Sequence, residues 1–190
     1  MVDLWNQFVN GDRDAFKELM QSHVDLLFKY GTKFCQEEEL VKDTIQELFI
    51  KLWERREHLS PAANVKAYLF ASLRRMLFRK INRDPKVVNY DDLEDQVTFF
   101  NMEISVEQRY IRDESLRFIE QQIQMKVAAL PARQKEVVYL KFFMDMSREQ
   151  ISNIMQISPQ TVSNLLQNAL KKLRTDLRLI LMNAIFFLKR

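Results

Sequence analysis

Three groups of side chains in this sequence have the types and spacing for recognition chemistry. Gln160, Ser163, Asn164, Gln167, Asn168 and Lys171 recur at intervals of three and four, the spacing of one helix face. Amides that donate and accept side by side suit base edges in a DNA major groove, and a lysine suits phosphate. Tyr68, Arg74, Arg75, Arg79 and Arg83 mix an aromatic ring with cations over a short stretch. That mixture suits stacking on unpaired bases combined with backbone contact. Asp43, Gln46 and Glu47 stand at i, i+3 and i+4 and project together from one helical face.

Catalytic constellations are absent from the sequence. His23, His58 and Cys35 are scattered, without the spacing of metal ligands. A packing role is expected for His23 and a surface position for His58. Two glycines cannot build a phosphate-cradling loop. No metal, no cofactor and no small-molecule substrate is therefore expected, and the chain reads as a non-enzyme. One cysteine excludes an internal disulfide and fits a reducing cytoplasm. Met1, Val2 and Asp3 do not open a signal peptide. No apolar run reaches the roughly 20 residues of a membrane helix, so no membrane insertion is expected.

The elements that must position these groups are helical. Gly 2 and Pro 4 in 190 residues leave little for hairpin turns and argue for an all-α fold. Ser147 with Gln150 has the spacing of a capping box. Gln156 and Ile157 make a short turn, and Ser158 caps the next helix with Pro159 at its first position. Val162, Leu165, Leu166, Ala169, Leu170 and Leu173 form the apolar stripe of that helix. Such a helix-turn-helix suits the major groove; an ordinary helical hairpin is the plainer alternative. Upstream, four helices are expected before residue 83. The first holds Leu4, Trp5, Phe8 and Val9; the second, capped by Asp12 or Asp14, runs to Gly31. A third begins near Glu37, and a fourth is expected from Ser60 and Pro61 to about Asn82. Together they would make a compact bundle.

Charge is segregated along the chain, whose formal net charge is +3. Glu37, Glu38, Glu39, Asp43, Glu47 and Glu54 outnumber Lys42 and Lys51, whereas Lys66 to Lys86 is almost wholly basic. One partner would then be a basic protein surface and the other a phosphate backbone. Residues 84–112 form an acidic connector containing Asp91, Asp92, Glu94 and Asp95. Its apolar residues Val87, Val88, Tyr90, Leu93, Val97, Phe99 and Phe100 imply that parts of it dock. A helix from about Ser105 leads into the C-terminal unit.

The stretch Asp43, Thr44, Ile45, Gln46, Glu47, Leu48, Phe49, Leu52, Trp53 resembles region 2 of the sigma-70 family, in particular its extracytoplasmic-function (ECF) group. Leu130 to Arg174 is similar to region 4, through Leu130-Pro131, Glu136-Val137, Glu149, Ile151, Ser158, Thr161-Val162 and Leu173-Arg174. The resemblance implies a region 2 bundle over residues 1–83, an acidic linker over 84–112, and a helix-turn-helix region 4 over 113–190 ending in an apolar tail. It implies that Asp43, Gln46 and Glu47 contact core RNA polymerase, with Phe49, Leu52 and Trp53 as packing residues. It places Asn64, Tyr68, Arg74, Arg75, Arg79 and Arg83 at the −10 element. It places Ser158, Gln160, Thr161, Ser163, Asn164, Gln167 and Lys171 at the −35 element. Arg75 and Arg79 depart from the family's usual Asn and Asp, and the recognition helix is poorer in basic residues than the family's.

The expected protein is thus a transcription initiation factor in the cytoplasm. Its partners would be core RNA polymerase, promoter DNA and an anti-sigma protein. A stand-alone helix-turn-helix regulator with a dimerising or sensing bundle is the alternative, and a helical protein-binding adapter is a third. Two further expectations concern the free chain. The linker and the two units are expected to mask one another, around the helix bearing Arg74, Arg75 and Arg79. The tail after Arg174 is expected either to extend the recognition helix or to dock elsewhere.

Overall fold

The computed structural model describes residues 2–59, 64–81, 99–102 and 123–188, with side chains left aside at residue 2 and from 175 onward. Every regular element among the described residues is helical. The N-terminal unit contains α1 (Val2–Val9), α2 (Arg13–Gly31), α3 (Glu38–Glu54), a 3-10 turn (Arg56–His58) and α4 (Val65–Ile81). Residues 123–128 form α5. The C-terminal unit continues with α6 (Ala132–Phe142), α7 (Arg148–Met155) and α8 (Pro159–Leu188).

Local chemistry sets the ends of these helices. Gly11 at φ +93° turns the chain with a conformation that suits a residue without Cβ. Asp12 then caps α2, its carboxylate accepting from the Asp14 and Ala15 amides, which decides between the two expected caps. Glu37 precedes α3 without a side-chain capping bond. The expected start of α4 at Ser60 does not hold. Val65 begins the helix, and Asn64 Oδ1 accepts from the Ala67 amide at 2.9 Å, the N-cap bond that asparagine favours. Ser60 and Pro61 lie outside the described residues, as does the expected helix start near Ser105.

Packing follows the apolar stripes. Trp5, Phe8, Leu19, Leu27, Leu69 and Leu73 are buried to 1% exposure or less, each contributing about 1.5–3 kcal/mol relative to exposure. Phe49 and Leu52 are buried and Trp53 is half-buried, as expected of packing residues. Helices α2 and α3 approach closely at Gly31: a Cβ there would lie 2.6 Å from Val41 Cγ1. In the C-terminal unit Val162 and Ala169 are buried. Leu170, expected in the same stripe, is 42% exposed.

The two units are docked on one another. Helix α4 packs along α7, and α7 packs on α8. Tyr30 of α2 lies against Tyr139 of α6 with ring centroids 6.4 Å apart. Part of the connector enters the same seam: Phe100 is buried against Phe34 and Tyr139, and the Asn101 amide donates to the Lys33 carbonyl at 2.7 Å. The expectation that the connector docks in part holds at Phe100, whereas Phe99 is 47% exposed. Val87, Val88, Tyr90, Leu93 and Val97 lie outside the described residues.

The apolar tail after Arg174 continues α8 to Leu188 without a break. No helix among the described residues is long and apolar enough to cross a membrane.

Candidate nucleic-acid and protein interfaces

The helix-turn-helix is built as its sequence implies. Ser147 Oγ accepts from the Gln150 amide, and Gln150 Oε1 accepts from the Ser147 amide, completing the reciprocal cap. Gln156 adopts φ 55°, ψ 44°, a left-handed close to α7 that satisfies its final carbonyls. Ser158 Oγ accepts from the Thr161 amide at 3.0 Å and opens α8.

The structure divides the residues expected at the −35 element into two kinds. Gln160, Asn164, Gln167 and Lys171 are exposed. Gln160 Nε2 donates to Asn164 Oδ1 at 3.1 Å, so neighbouring amides are held in one row. Ser158 and Thr161 share a hydroxyl contact of 2.8 Å at the cap, and Ser163 Oγ donates to the Pro159 carbonyl. Those three hydroxyls serve the helix in the free chain, and the row of amides is what faces outward.

Helix α4 separates its basic residues onto opposite faces. Tyr68 and Arg79 are exposed and Arg75 is half-buried, and their spacing places them on one side. Arg74 is on the other side and does not reach solvent, contrary to its expected place at the −10 element. It is 6% exposed; its Nε donates to Glu136 Oε1 at 2.8 Å and its Nη2 to Oε2 at 3.3 Å. Glu136 is fully buried and also accepts from the Tyr30 hydroxyl at 2.7 Å. Burial is the largest single influence and works against the Arg74 charge, but the Glu136 carboxylate and the Tyr30 oxygen together outweigh it and raise the guanidinium pKa above its ordinary value. The guanidinium also sits 4.8 Å from the Phe78 ring centre. Lys66, two turns before Arg74, donates to the Met144 carbonyl at 2.6 Å. Asn64, expected to meet a base, caps the helix in the free chain. Arg83 lies outside the described residues.

Asp43 and Gln46 are exposed side by side on α3. Glu47 is half-buried, paired with Lys51 and, at 2.7 Å, with Lys80 of α4. Hydrogen bonds from Lys51 and then Lys80 hold its carboxyl below the usual range. Of the three expected residues it is therefore the one already neutralised within the chain. Beside Gln46 runs an apolar groove of about 660 Å³ between α2 and α3, lined by Met20, Val24, Phe28, Ile45, Phe49 and Ile50 among others. Val24 and Ile50 are 37% and 49% exposed. Sequence reasoning missed this groove; its signal was apolar residues lying off the buried stripes of both helices.

His23 is buried, with Nδ1 2.9 Å from the Leu19 carbonyl, and His58 is exposed, as expected of packing and surface positions. Among the described residues no cluster of His, Cys, Asp and Glu could hold a metal ion.

Residues 19–84 match the family description "Sigma-70 region 2", and residues 120–173 match "Sigma-70, region 4". The two matches together cover more than half of the chain. No curated protein matches it. Among solved structures, the chain is similar to CnrH, solved in complex with the cytosolic domain of CnrY. That likeness has 20% identity and a TM-score of 0.58, and covers 92% of this chain and 94% of the other. It is also similar to the sigma factor RpoE in complex with the anti-sigma factor NepR from Bartonella quintana. There the identity is 18% and the TM-score 0.55, over 86% of this chain and 96% of the other. Both are likenesses of fold.

Proposed function

The chain belongs to the sigma-70 family, and on that premise we propose a division of labour between its two units. It is a transcription initiation factor: it binds core RNA polymerase and directs it to promoter DNA. The order of the two matched regions, with a connector and no further matched region between them, carries this reading and follows the plan of the ECF group.

Residues 1–83 work as region 2, 84–112 as linker and 113–190 as region 4. Polymerase docks on α3, where Gln46 lines an apolar groove and Asp43 is exposed one turn before it. Polar anchors at the rim of an apolar cleft give both register and burial on binding. Glu47 contributes after giving up Lys51 or Lys80. Tyr68, Arg75 and Arg79 supply a ring and two cations to the opened −10 strand. Gln160, Asn164 and Gln167 read −35 bases and Lys171 meets phosphate. The factor carries out no reaction of its own and acts in the cytoplasm. Both solved relatives are held in complexes with a partner protein, one of them an anti-sigma factor. A partner of that class holds this chain when it is not on polymerase.

Run-off transcription with purified core polymerase on genomic fragments tests the reading. Promoter-dependent transcripts are expected only when the chain is added. Duplex binding without any transcript would overturn it in favour of a stand-alone regulator.

A further inference from the structure

Helix α8 is longer than the helices that support it. Its 30 residues make roughly 45 Å at about 1.5 Å per residue. Among the described helices it packs on α6 and α7, which have 11 and 8 residues. Laid end to end, those two would still fall short of α8 by roughly 17 Å. Leu170 is already 42% exposed. Beyond it Leu177, Ile180, Leu181, Ala184 and Leu188 recur at helical spacing, on a helix that runs unbroken to Leu188. An apolar overhang of this kind gains by leaving water.

The groove between α2 and α3 matches the overhang in length, polarity and charge. It runs from Phe16 to Phe28 on α2 and from Lys42 to Glu54 on α3, roughly 18 Å along each helix. Residues 175–188 of α8 make roughly 21 Å. Val24 and Ile50 stand exposed in the groove. Lys42 at its edge pairs with Glu39 at 2.7 Å, and the other ionisable residues of the lining, Asp25 and Glu54, are acidic. From residue 174 onward the chain is basic: Arg174, Arg178, Lys189 and Arg190 outnumber Asp176. Apolar anchors in a groove, with opposite charges at its rim, are how one helix recognises such a cleft.

The overhang cannot be the one that belongs to the same molecule. The described lining of the groove comes from α2 and α3 alone. Helix α4 packs on both of them, and a groove between two helices opens away from the third. Helix α7 lies on α4, and α8 lies on α7. An unbroken helix anchored on that side does not turn back across α4 to the far face of its own bundle. We infer that the overhang of α8 docks in the α2–α3 groove of a second copy, and that reciprocal exchange makes a two-fold dimer. Pairing covers the face of α3 that the proposed function gives to polymerase, so one chain cannot hold both partners there. That consequence rests on the functional reading; the pairing does not.

Sedimentation equilibrium of the full-length chain across a roughly hundredfold range of concentration tests it. The mass is expected to rise from one chain to two. Ile50→Glu, which blocks the groove at an exposed position, and Ile180→Glu, which blocks the overhang, should each remain single over that range. An equal mixture of the two variants keeps one intact groove and one intact overhang, and should regain pairs at the upper concentrations. If either variant loses its helical circular dichroism, Val24→Lys or Leu177→Glu replaces it with the same readouts. A full-length chain that stays single throughout would overturn the proposal. Pairing that survives Ile50→Glu but not Ile180→Glu would mean that two overhangs meet each other, and would overturn the groove as their site. A mixture that never pairs would also count against the exchange.

Discussion

Tyr30 and Glu136 stand 106 positions apart, and the Tyr30 hydroxyl donates to the Glu136 carboxylate across 2.7 Å. A hydrogen bond to a charged acceptor contributes about 1.5–3 kcal/mol. Tyr30→Phe removes it and leaves Arg74 in place, so a loss near the lower end is expected. Urea denaturation followed by circular dichroism should show an earlier midpoint. An unchanged midpoint would mean that the hydroxyl adds nothing to docking.

Replacing Asp43 and Gln46 together by alanine should weaken capture by core polymerase. Both side chains are exposed, and neither is among those paired with Lys51 or Lys80, so stability should move by less than about 0.5 kcal/mol. Pull-down on immobilised core polymerase measures the first effect and thermal melting the second. Wild-type capture by the double variant would remove the polymerase assignment from this face of α3.

The amide row of α8 should choose bases. Each bidentate amide–adenine pair discriminates by about 1–3 kcal/mol. Gln160→Ala, Asn164→Ala and Gln167→Ala combined should flatten the ranking of −35 variants in competitive transcription while retaining initiation. If the ranking is unaltered, the helix reads shape or phosphate.

Alkaline pH should open the seam. Burial pushes the Tyr139 hydroxyl up to about 12, and burial first, then the Glu136 charge, moves Tyr30 the same way. An unfolded tyrosine ionises near pH 10. The folded state thus keeps protons that the unfolded state loses, and stability falls as pH rises through that interval. For Tyr139 the contribution is complete below about pH 10 and gone above about pH 12. A titration of tyrosinate absorbance should show these two rings ionising only as the helical signal falls. Ionisation with the helices intact would contradict the burial.

Truncation after Arg174 removes the part of α8 that extends past the helix-turn-helix. The docked seam is made by α2, α4, α6, α7 and Phe100, so the two units should stay together in solution scattering. The melting temperature of the C-terminal unit should drop as its longest helix is shortened. Expansion of the chain instead would identify the tail as a bridge.

What was legible in the sequence was what is decided locally. Ser147 and Gln150, three residues apart, contain their own capping box. Ser158 with Pro159 marks a helix start without reference to anything distant. Ser60-Pro61 is the louder start signal in sequence, yet Asn64 makes the capping bond. The partner of Arg74 was out of reach, since Glu136 lies 62 positions away and periodicity names a face without naming what covers it. Its burial was readable in part: Arg74 follows Phe70 by one turn and adjoins Leu73, both fully buried. In sequence the rings and cations of α4 read as one surface, whereas the helix wraps them into two.

Gly31 adjoins Tyr30, so a close approach of α2 to α3 and the hydroxyl that bonds Glu136 share one helical turn. Val41, whose Cγ1 would lie 2.6 Å from any added Cβ, is β-branched and fully buried, and has little freedom to yield. A methyl at position 31 would act as a wedge, and α2 would be levered away from α3. The lever arm ends at the Tyr30 oxygen, where a displacement of a few tenths of an ångström lengthens a 2.7 Å bond toward the limit of a good one. A residue without a side chain thereby sets the tolerance to which the two halves of the factor are fitted.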